Sequence, residues 1–277
     1  MATLAIENLF SVKGKVALVT GGGTGIGRMI AAGLTQNGAK VYIASRKRDV
    51  VEKTAAELSV NGGKCIALVA DLSSKAGCLK LAAELQAREP ILHILVNNSG
   101  GAWGGKLEDF PEQGWDKLVA LNVKNLFYMT VACLPMLEKG ANGNIDPSRV
   151  INVTSIAGYT NHSENVTTGI GEGSWSYNPT KAAANHLTRI MAVTLAKRNI
   201  TVNAIAPGVY LTNMTSYGYS VHKEKFQSGQ PMGRIGSVDD MAGLALYLSS
   251  KASAHLTGAI VDTSGGQSLL SSASSKF

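Results

Sequence analysis

Short apolar runs recur along this chain, and each is followed by a stretch with helical periodicity. Residues 16–20 (VALVT), 41–45 (VYIAS), 65–70 (CIALVA), 91–97 (ILHILVN), 149–154 (RVINVT) and 200–205 (ITVNAI) read as strands, and 258–261 begins a seventh. Between them, 26–36, 49–58, 75–88, 113–137 and 179–197 read as helices. The strand runs are continuous rather than alternating, which is what a strand buried on both faces requires. The pattern predicts an α/β fold: a doubly wound parallel sheet of about seven strands, with helices on both faces and right-handed crossovers. No linker or composition shift interrupts it, so 1–277 reads as a single dinucleotide-binding and catalytic domain with a core over about 12–266. Residues 161–176, rich in Gly, Thr and Asn, read as an inserted loop, and the Ser-rich tail 268–277 as poorly ordered.

Composition narrows the partners. Of 277 residues, 45% are hydrophobic and 16% charged, as in a folded globular protein. The net charge is +7, but the basic residues are scattered and the densest run is Arg46-Lys47-Arg48. Without a basic stripe interleaved with aromatics, no nucleic-acid partner is expected. No apolar run reaches the roughly 18 residues that span a bilayer. The first ten residues lack a basic region ahead of an apolar core, so the cytoplasm is the expected location. Three separate cysteines and five isolated histidines suggest neither a disulfide framework nor a metal site.

Candidate chemistry begins at the first strand-to-helix junction, Thr20-Gly21-Gly22-Gly23-Thr24-Gly25-Ile26-Gly27. Glycines let the backbone turn sharply and let a pyrophosphate approach, and the helix start offers free N–H groups. A glycine-rich stretch alone can be a plain turn. Its place in a βαβ unit is what marks a Rossmann-type dinucleotide site, with Gly21, Gly23, Thr24, Gly25, Ile26 and Gly27 as candidate contacts. The spacing T-G-x-x-x-G-x-G resembles that of the short-chain dehydrogenase/reductase family. The resemblance extends over about 12–266 and rests on several ordered motifs.

The second strand ends Ala44-Ser45-Arg46-Lys47, with no carboxylate to bond a ribose 2′-hydroxyl. A guanidinium there can bind a 2′-phosphate through paired N–H groups. NADP(H) is therefore expected over NAD(H), held by Arg46, with Ser45 as donor and Lys47 in support. The plain alternative is a solvated basic turn. The resemblance implies further contacts: Asp71 and Leu72 at the adenine, and Asn98 within Asn97-Asn98-Ser99-Gly100, where Ser99 replaces the family's alanine. It also implies that Thr212 and the Val209 backbone, in Pro207-Gly208-Val209-Tyr210-Leu211-Thr212, hold the nicotinamide carboxamide.

Tyr177-Asn178-Pro179-Thr180-Lys181 matches the family's Y-x-x-x-K, which sets both side chains on one helix face. An ammonium and an oxidised nicotinamide nearby are expected to lower the phenol pKa, so that Tyr177 exchanges a proton with the substrate oxygen. Ser155, after the fifth strand, is expected to polarise the carbonyl, its alternative being a turn or N-cap serine. Asn122 matches the family's fourth catalytic member and by resemblance holds a water in a proton relay with Lys181. Its alternative is a satisfied mid-helix polar residue.

These residues predict an NADPH-dependent reductase acting on a ketone or 3-oxoacyl carbonyl. An alcohol or polyol dehydrogenase working oxidatively uses the same groups, and a cofactor-binding sensor without turnover is the reading from another class. Gly101-Ala102-Trp103-Gly104 and Pro231-Met232-Gly233-Arg234 resemble ketoacyl reductases of the rhamnolipid-pathway type. The resemblance also implies a homotetramer or homodimer built on the helices that carry Asn122 and Tyr177. One departure stands out: Ser155 and Tyr177 are 22 positions apart, against about a dozen in many relatives. The excess, 159–176, is expected at the rim of the cleft, shaping the substrate pocket with Trp103 and 212–232, and 217–219 reads as a lid with a glycine hinge. A tolerated surface insertion is the alternative. The final Ser275-Lys276-Phe277 resembles the S-K-L peroxisomal address, from which the phenylalanine departs.

Overall fold

The computed structural model describes residues 4–163 and 172–270. Strands form where the apolar runs lie: β1 Val16–Thr20, β2 Lys40–Ser45, β3 Lys64–Val69, β4 Ile94–Asn97, β5 Ser148–Val153, β6 Ile200–Pro207 and β7 Ile260–Thr263. All pairings among them are parallel, in the order β3-β2-β1-β4-β5-β6-β7. Every residue of β1, β4, β5 and β6 is buried, which is why those runs do not alternate.

The helices are α1 Ile6–Leu9, α2 Gly25–Gln36, α3 Arg48–Leu58, α4 Lys75–Gln86, α5 Glu112–Val119, α6 Asn125–Gly140, α7 Tyr177–Ala196, α8 Ser216–Ser228 and α9 Val238–Ser249. Strand residues split between two layers by parity. Ala17 and Val19 pack under Ile30, Val51 and Met241 of α2, α3 and α9. Val16 and Leu18 pack under Cys78, Met129 and Met191 of α4, α6 and α7. The chain order reverses between β1 and β4, and in open parallel sheets the crevice at such a reversal, beyond the strands' carboxyl ends, is where ligands bind.

Several expectations change. The helix expected over 113–137 is interrupted by a π-helical turn, Ala120–Lys124, between α5 and α6. The whole stretch Glu112–Gly140 is long and apolar enough to cross a membrane, with a mean hydropathy of 1.3 over its best 18 residues, contrary to the expectation of no such run. One face of it is core instead: Leu118, Leu126, Met129, Cys133, Met136 and Leu137 are buried, while Phe127 and Val131 are exposed. Strand β4 starts late because Leu92 N–H donates to Met136 O, off the sheet.

Helices α8 and α9 were not foreseen. Residues 217–219 lie inside α8, where Ser216 N–H donates to Thr212 O and Tyr219 N–H to Thr215 O, so the glycine-hinged lid is corrected to a helical turn. Tyr219 packs edge-on against Phe226, with ring centroids 5.8 Å apart. Order also runs further into the tail than expected: Gln267–Leu269 is a 3-10 turn, and the Ser268 hydroxyl donates to the Asp262 carboxylate. Of the inserted loop, 164–171 lie outside the described residues, as does the tail from 271.

Candidate active site

The glycine turn is held by two buried hydroxyls, of which Thr54 donates to Gly23 O at 2.8 Å. Thr20, the last residue of β1, is fully buried. Its Oγ1 donates to Val96 O at 3.2 Å and accepts from the N–H groups of Asn98 and Ser99 at 3.0 and 3.1 Å. The Asn98 side chain returns the strap, its Nδ2 donating to Thr20 O and Gly21 O at 3.0 and 3.1 Å. The turn and the loop after β4 are thus one rigid unit. Helix α2 then starts on Gly25, whose φ of +53° suits a residue without a Cβ. At Gly27 a Cβ would stand 2.3 Å from Gly21 O, so only glycine lets α2 close on the turn.

A groove of about 460 Å³ opens over this unit. Gly21, Gly23, Thr24, Gly25 and Ile26 line one end with Ser45, Arg46 and Lys47, and Asp71 and Leu72 lie beside them. Asn98, Tyr177, Lys181 and Thr212 line the same cavity. Arg46 and Lys47 are exposed on its wall, while Asp49 falls in α3 outside the lining. Gly27 and Val209 are not on the wall. Gly27 packs beneath the turn, and the Val209 carbonyl accepts from Gly236 N–H. Asn98 does line the groove, but its side-chain amide is committed to the strap.

Tyr177 is the first residue of α7, so the chain just before the helix sets its position. Ser155 lies near enough to its hydroxyl to favour the phenolate. Ser155 accepts from Ala157 N–H at 3.1 Å, capping the 3-10 turn Ile156–Gly158. The geometry thus shows the turn-cap reading of this serine, and Ser155 itself is not on the groove wall. Lys181 Nζ donates to Val153 O at 3.1 Å and lies 5.5 Å from the centre of the Tyr177 ring. Asn122 sits on the π-helical turn. Its Oδ1 accepts from Gly101 N–H at 3.0 Å, and its Nδ2 donates to Gly101 O and to Thr180 Oγ1, each at 3.1 Å. It therefore bolts the loop after β4 to the first turn of α7.

Burial governs the electrostatics. It pushes the Tyr177 phenol up from its ordinary value, against the effect of Ser155. Burial, not Lys181, sets the direction of the shift in the protein alone; the expected lowering also counts on an oxidised nicotinamide beside the phenol. Burial also brings the Lys181 ammonium down to about 8. A neutral Tyr177 near pH 7 is in the form that donates a proton. The three cysteines are buried free thiols, and among the described residues no group of three or more His, Cys, Asp and Glu gathers.

The sequence model of the enoyl-(acyl carrier protein) reductase family matches residues 21–268. The chain belongs to the short-chain dehydrogenase/reductase family. Among family members, the rhamnolipids biosynthesis 3-oxoacyl-[acyl-carrier-protein] reductase of Pseudomonas aeruginosa is 41% identical over 259 residues, covering 93% of this chain and 97% of that one. The 7alpha-hydroxysteroid dehydrogenase of Escherichia coli K12 is 35% identical over 254 residues, covering 91% and 94%. The solved Pseudomonas aeruginosa RhlG/NADP active-site complex superposes with a TM-score of 0.88 at 40% identity, covering 94% of this chain and 98% of that one. For a short-chain dehydrogenase/reductase, sequence motifs located the groove but missed Thr20, a hydroxyl that holds its floor. Asn213 and Met214, also on its wall, fall within 212–232, the segment expected to shape the pocket. The signal for Thr20 was present: a polar residue closing a fully buried strand needs partners.

Proposed function

We propose that this short-chain dehydrogenase/reductase is an NADPH-dependent reductase of ketone or 3-oxoacyl carbonyls. The observation that carries it is one groove lined at one end by the glycine turn with Ser45, Arg46 and Lys47, and at the other by Tyr177 and Lys181. The donor set fits the cofactor. Close-packed glycines leave room for a pyrophosphate, and exposed cations without a carboxylate at the end of β2 suit a 2′-phosphate. The residues that would hold it are Gly21, Gly23, Thr24, Gly25, Ile26, Ser45, Arg46, Lys47, Asp71, Leu72 and Thr212. When bound, NADPH supplies the hydride. Ser155 orients and polarises the carbonyl oxygen. Tyr177, kept neutral by burial, gives that oxygen its proton. Lys181, held by Val153 O, keeps positive charge beside the phenol as the proton leaves. Asn122 holds the loop after β4 against the helix that carries both. The relatives named above support a 3-oxoacyl or bulky cyclic ketone as substrate.

The test is loss of cofactor absorbance with NADPH and a panel of 3-oxoacyl thioesters and cyclic ketones. Tyr177→Phe should lower kcat by at least about 10²-fold. Near-normal turnover in that variant, or none in the parent across the panel, defeats the reading, the latter in favour of a sensor. Arg46→Ala should weaken NADPH binding by roughly tenfold or more while sparing NADH. We further infer a homodimer or homotetramer. Phe127 and Val131 on α6, and Ile190 and Val193 on α7, are exposed at helical spacing on the helices expected to pair. A monomer by light scattering would refute it.

A further inference from the structure

The extra length between Ser155 and Tyr177 is tied down at both ends. On one side, Gly173 and Gly105 form a two-bond antiparallel bridge: Gly105 N–H donates to Gly173 O at 3.2 Å, and Gly173 N–H to Gly105 O at 2.8 Å. Trp175 Nε1–H donates to the same Gly105 O at 2.9 Å. Gly173 lies flat against the indole, since a Cβ there would stand 2.6 Å from the Trp175 ring. Ser176, fully buried, donates from Oγ to Gly114 O at 3.3 Å in α5. On the other side, Asn178 Nδ2 donates to His162 O at 2.7 Å. The two strands of the tie meet at Ser174, whose carbonyl accepts from Tyr177 N–H and Asn178 N–H at 3.1 and 3.3 Å.

An aromatic group backs the bridge. Phe110 meets Trp115 edge-on at 6.3 Å, and Lys117 Nζ sits 5.1 Å from the Trp103 ring centre. Glycines at 105 and 114 leave room for the Phe110 ring, which a Cβ would approach to 3.2 and 3.0 Å. Trp103 and Trp175 are absent from the lining of the groove. The rim role expected for Trp103 is therefore better described as support.

We propose that the Gly105–Gly173 bridge, locked by the Trp175 indole N–H, is a clasp that positions Tyr177 for catalysis. The inference rests on the reductase reading above and goes beyond it by giving the described end of the insertion a task. Because Tyr177 opens α7, it has no preceding helical turn to fix it. The clasp supplies that constraint, through Ser174 to the Tyr177 amide and through Ser176 to α5. Misplacing a reacting group by about 1 Å can lower a rate by about 10²-fold. Gly105, Gly173 and Trp175 are absent from the lining of the groove, so they are assigned as positioning residues.

Trp175→Phe keeps an aromatic ring against Gly173 and removes the N–H. It should lower kcat about tenfold with NADPH affinity unchanged. In a Tyr177→Phe background, the same change should leave the residual turnover where it was, because two residues acting through one group are not additive. A second measurement needs no variant: in the parent protein, hydrogen exchange at the Gly105 and Gly173 amides should be as slow as in the first turn of α7. Unchanged kcat in Trp175→Phe beside an inactive Tyr177→Phe overturns the clasp and leaves the reductase reading intact. An additive loss, a parallel loss of NADPH binding, or fast exchange at Gly105 and Gly173 overturns the clasp as well. Normal turnover in Tyr177→Phe brings down both.

Discussion

Replacing Thr20 by valine would change the shape of β1 very little and would remove the hydroxyl that joins it to the loop after β4. Two backbone N–H groups, of Asn98 and Ser99, would lose their acceptor, and Val96 O would lose a donor. Thr20 and Val96 are fully buried, so water does not take the hydroxyl's place at Val96 O, while Asn98 and Ser99 line the groove. An orphaned buried polar group costs about 1–3 kcal/mol. Allowing for relaxation, Thr20→Val should lose about 3 kcal/mol of stability, a fall of roughly 6–12 °C in Tm. Thr20→Ser is the control: it keeps the hydroxyl, loses one buried methyl and should lose about 1 kcal/mol. Urea unfolding of the three proteins, with a common m-value, measures the difference. NADPH binding should weaken in the valine variant too, since the Asn98 strap on Gly21 O depends on the same loop. Were the valine variant as stable as the serine variant to within about 0.5 kcal/mol, the hydroxyl bonds would not be what holds this junction.

Gly27→Ala would place a methyl 2.3 Å from Gly21 O and 2.4 Å from Asn98 Nδ2. The turn must open, with a stability loss of about 1–3 kcal/mol and a marked weakening of NADPH binding; parent-like affinity by calorimetric titration would count against the close-packed turn. Lys181 makes stability depend on pH. Its folded pKa, about 8, lies below the 10.5 of the unfolded chain, so between those values the unfolded chain binds the extra proton and stability rises with pH. Lys181→Met cannot titrate, so the stability difference, parent minus variant, should climb across that window; a flat difference refutes the desolvated lysine.

The strands were legible because a parallel sheet covered on both faces leaves each central strand uniformly apolar, as in VALVT and ITVNAI. The groove was legible because the glycines and the basic run directly follow β1 and β2, and Y-x-x-x-K opens a helix whose Lys181 reaches back to the end of β5. Helix α9 was findable: Ser237 and Asp240 form a capping box ahead of Met241, Ala245 and Leu248. Helix α8 carries no such signal, for its sequence SYGYSVHKEKFQS mixes glycine, polar and β-branched residues. The π-helical turn at Asn122 leaves no trace in composition, since one extra residue in a helix changes its register and not its residue types. The direction of the Tyr177 shift in the protein alone was not legible, because a sequence shows which charges are near in the chain and not how much water reaches them.

The strand order has a consequence for how the chain comes together as it is made. β1 ends at residue 20 and gains β2 soon afterwards, but its other neighbour, β4, begins only at Ile94. At ribosomal rates of about 5–20 residues per second, the β4 side of β1 waits about 4–15 s for its partner. During that interval a half-sheet of β3, β2 and β1 carries an open edge at what becomes the middle of the finished sheet. The crevice between β1 and β4 that receives a ligand in the folded protein is thus the seam along which the nascent chain is most open to mispairing, and the β1–β4 ladder, with the Thr20 bonds to Asn98 and Ser99 at its end, is what closes it.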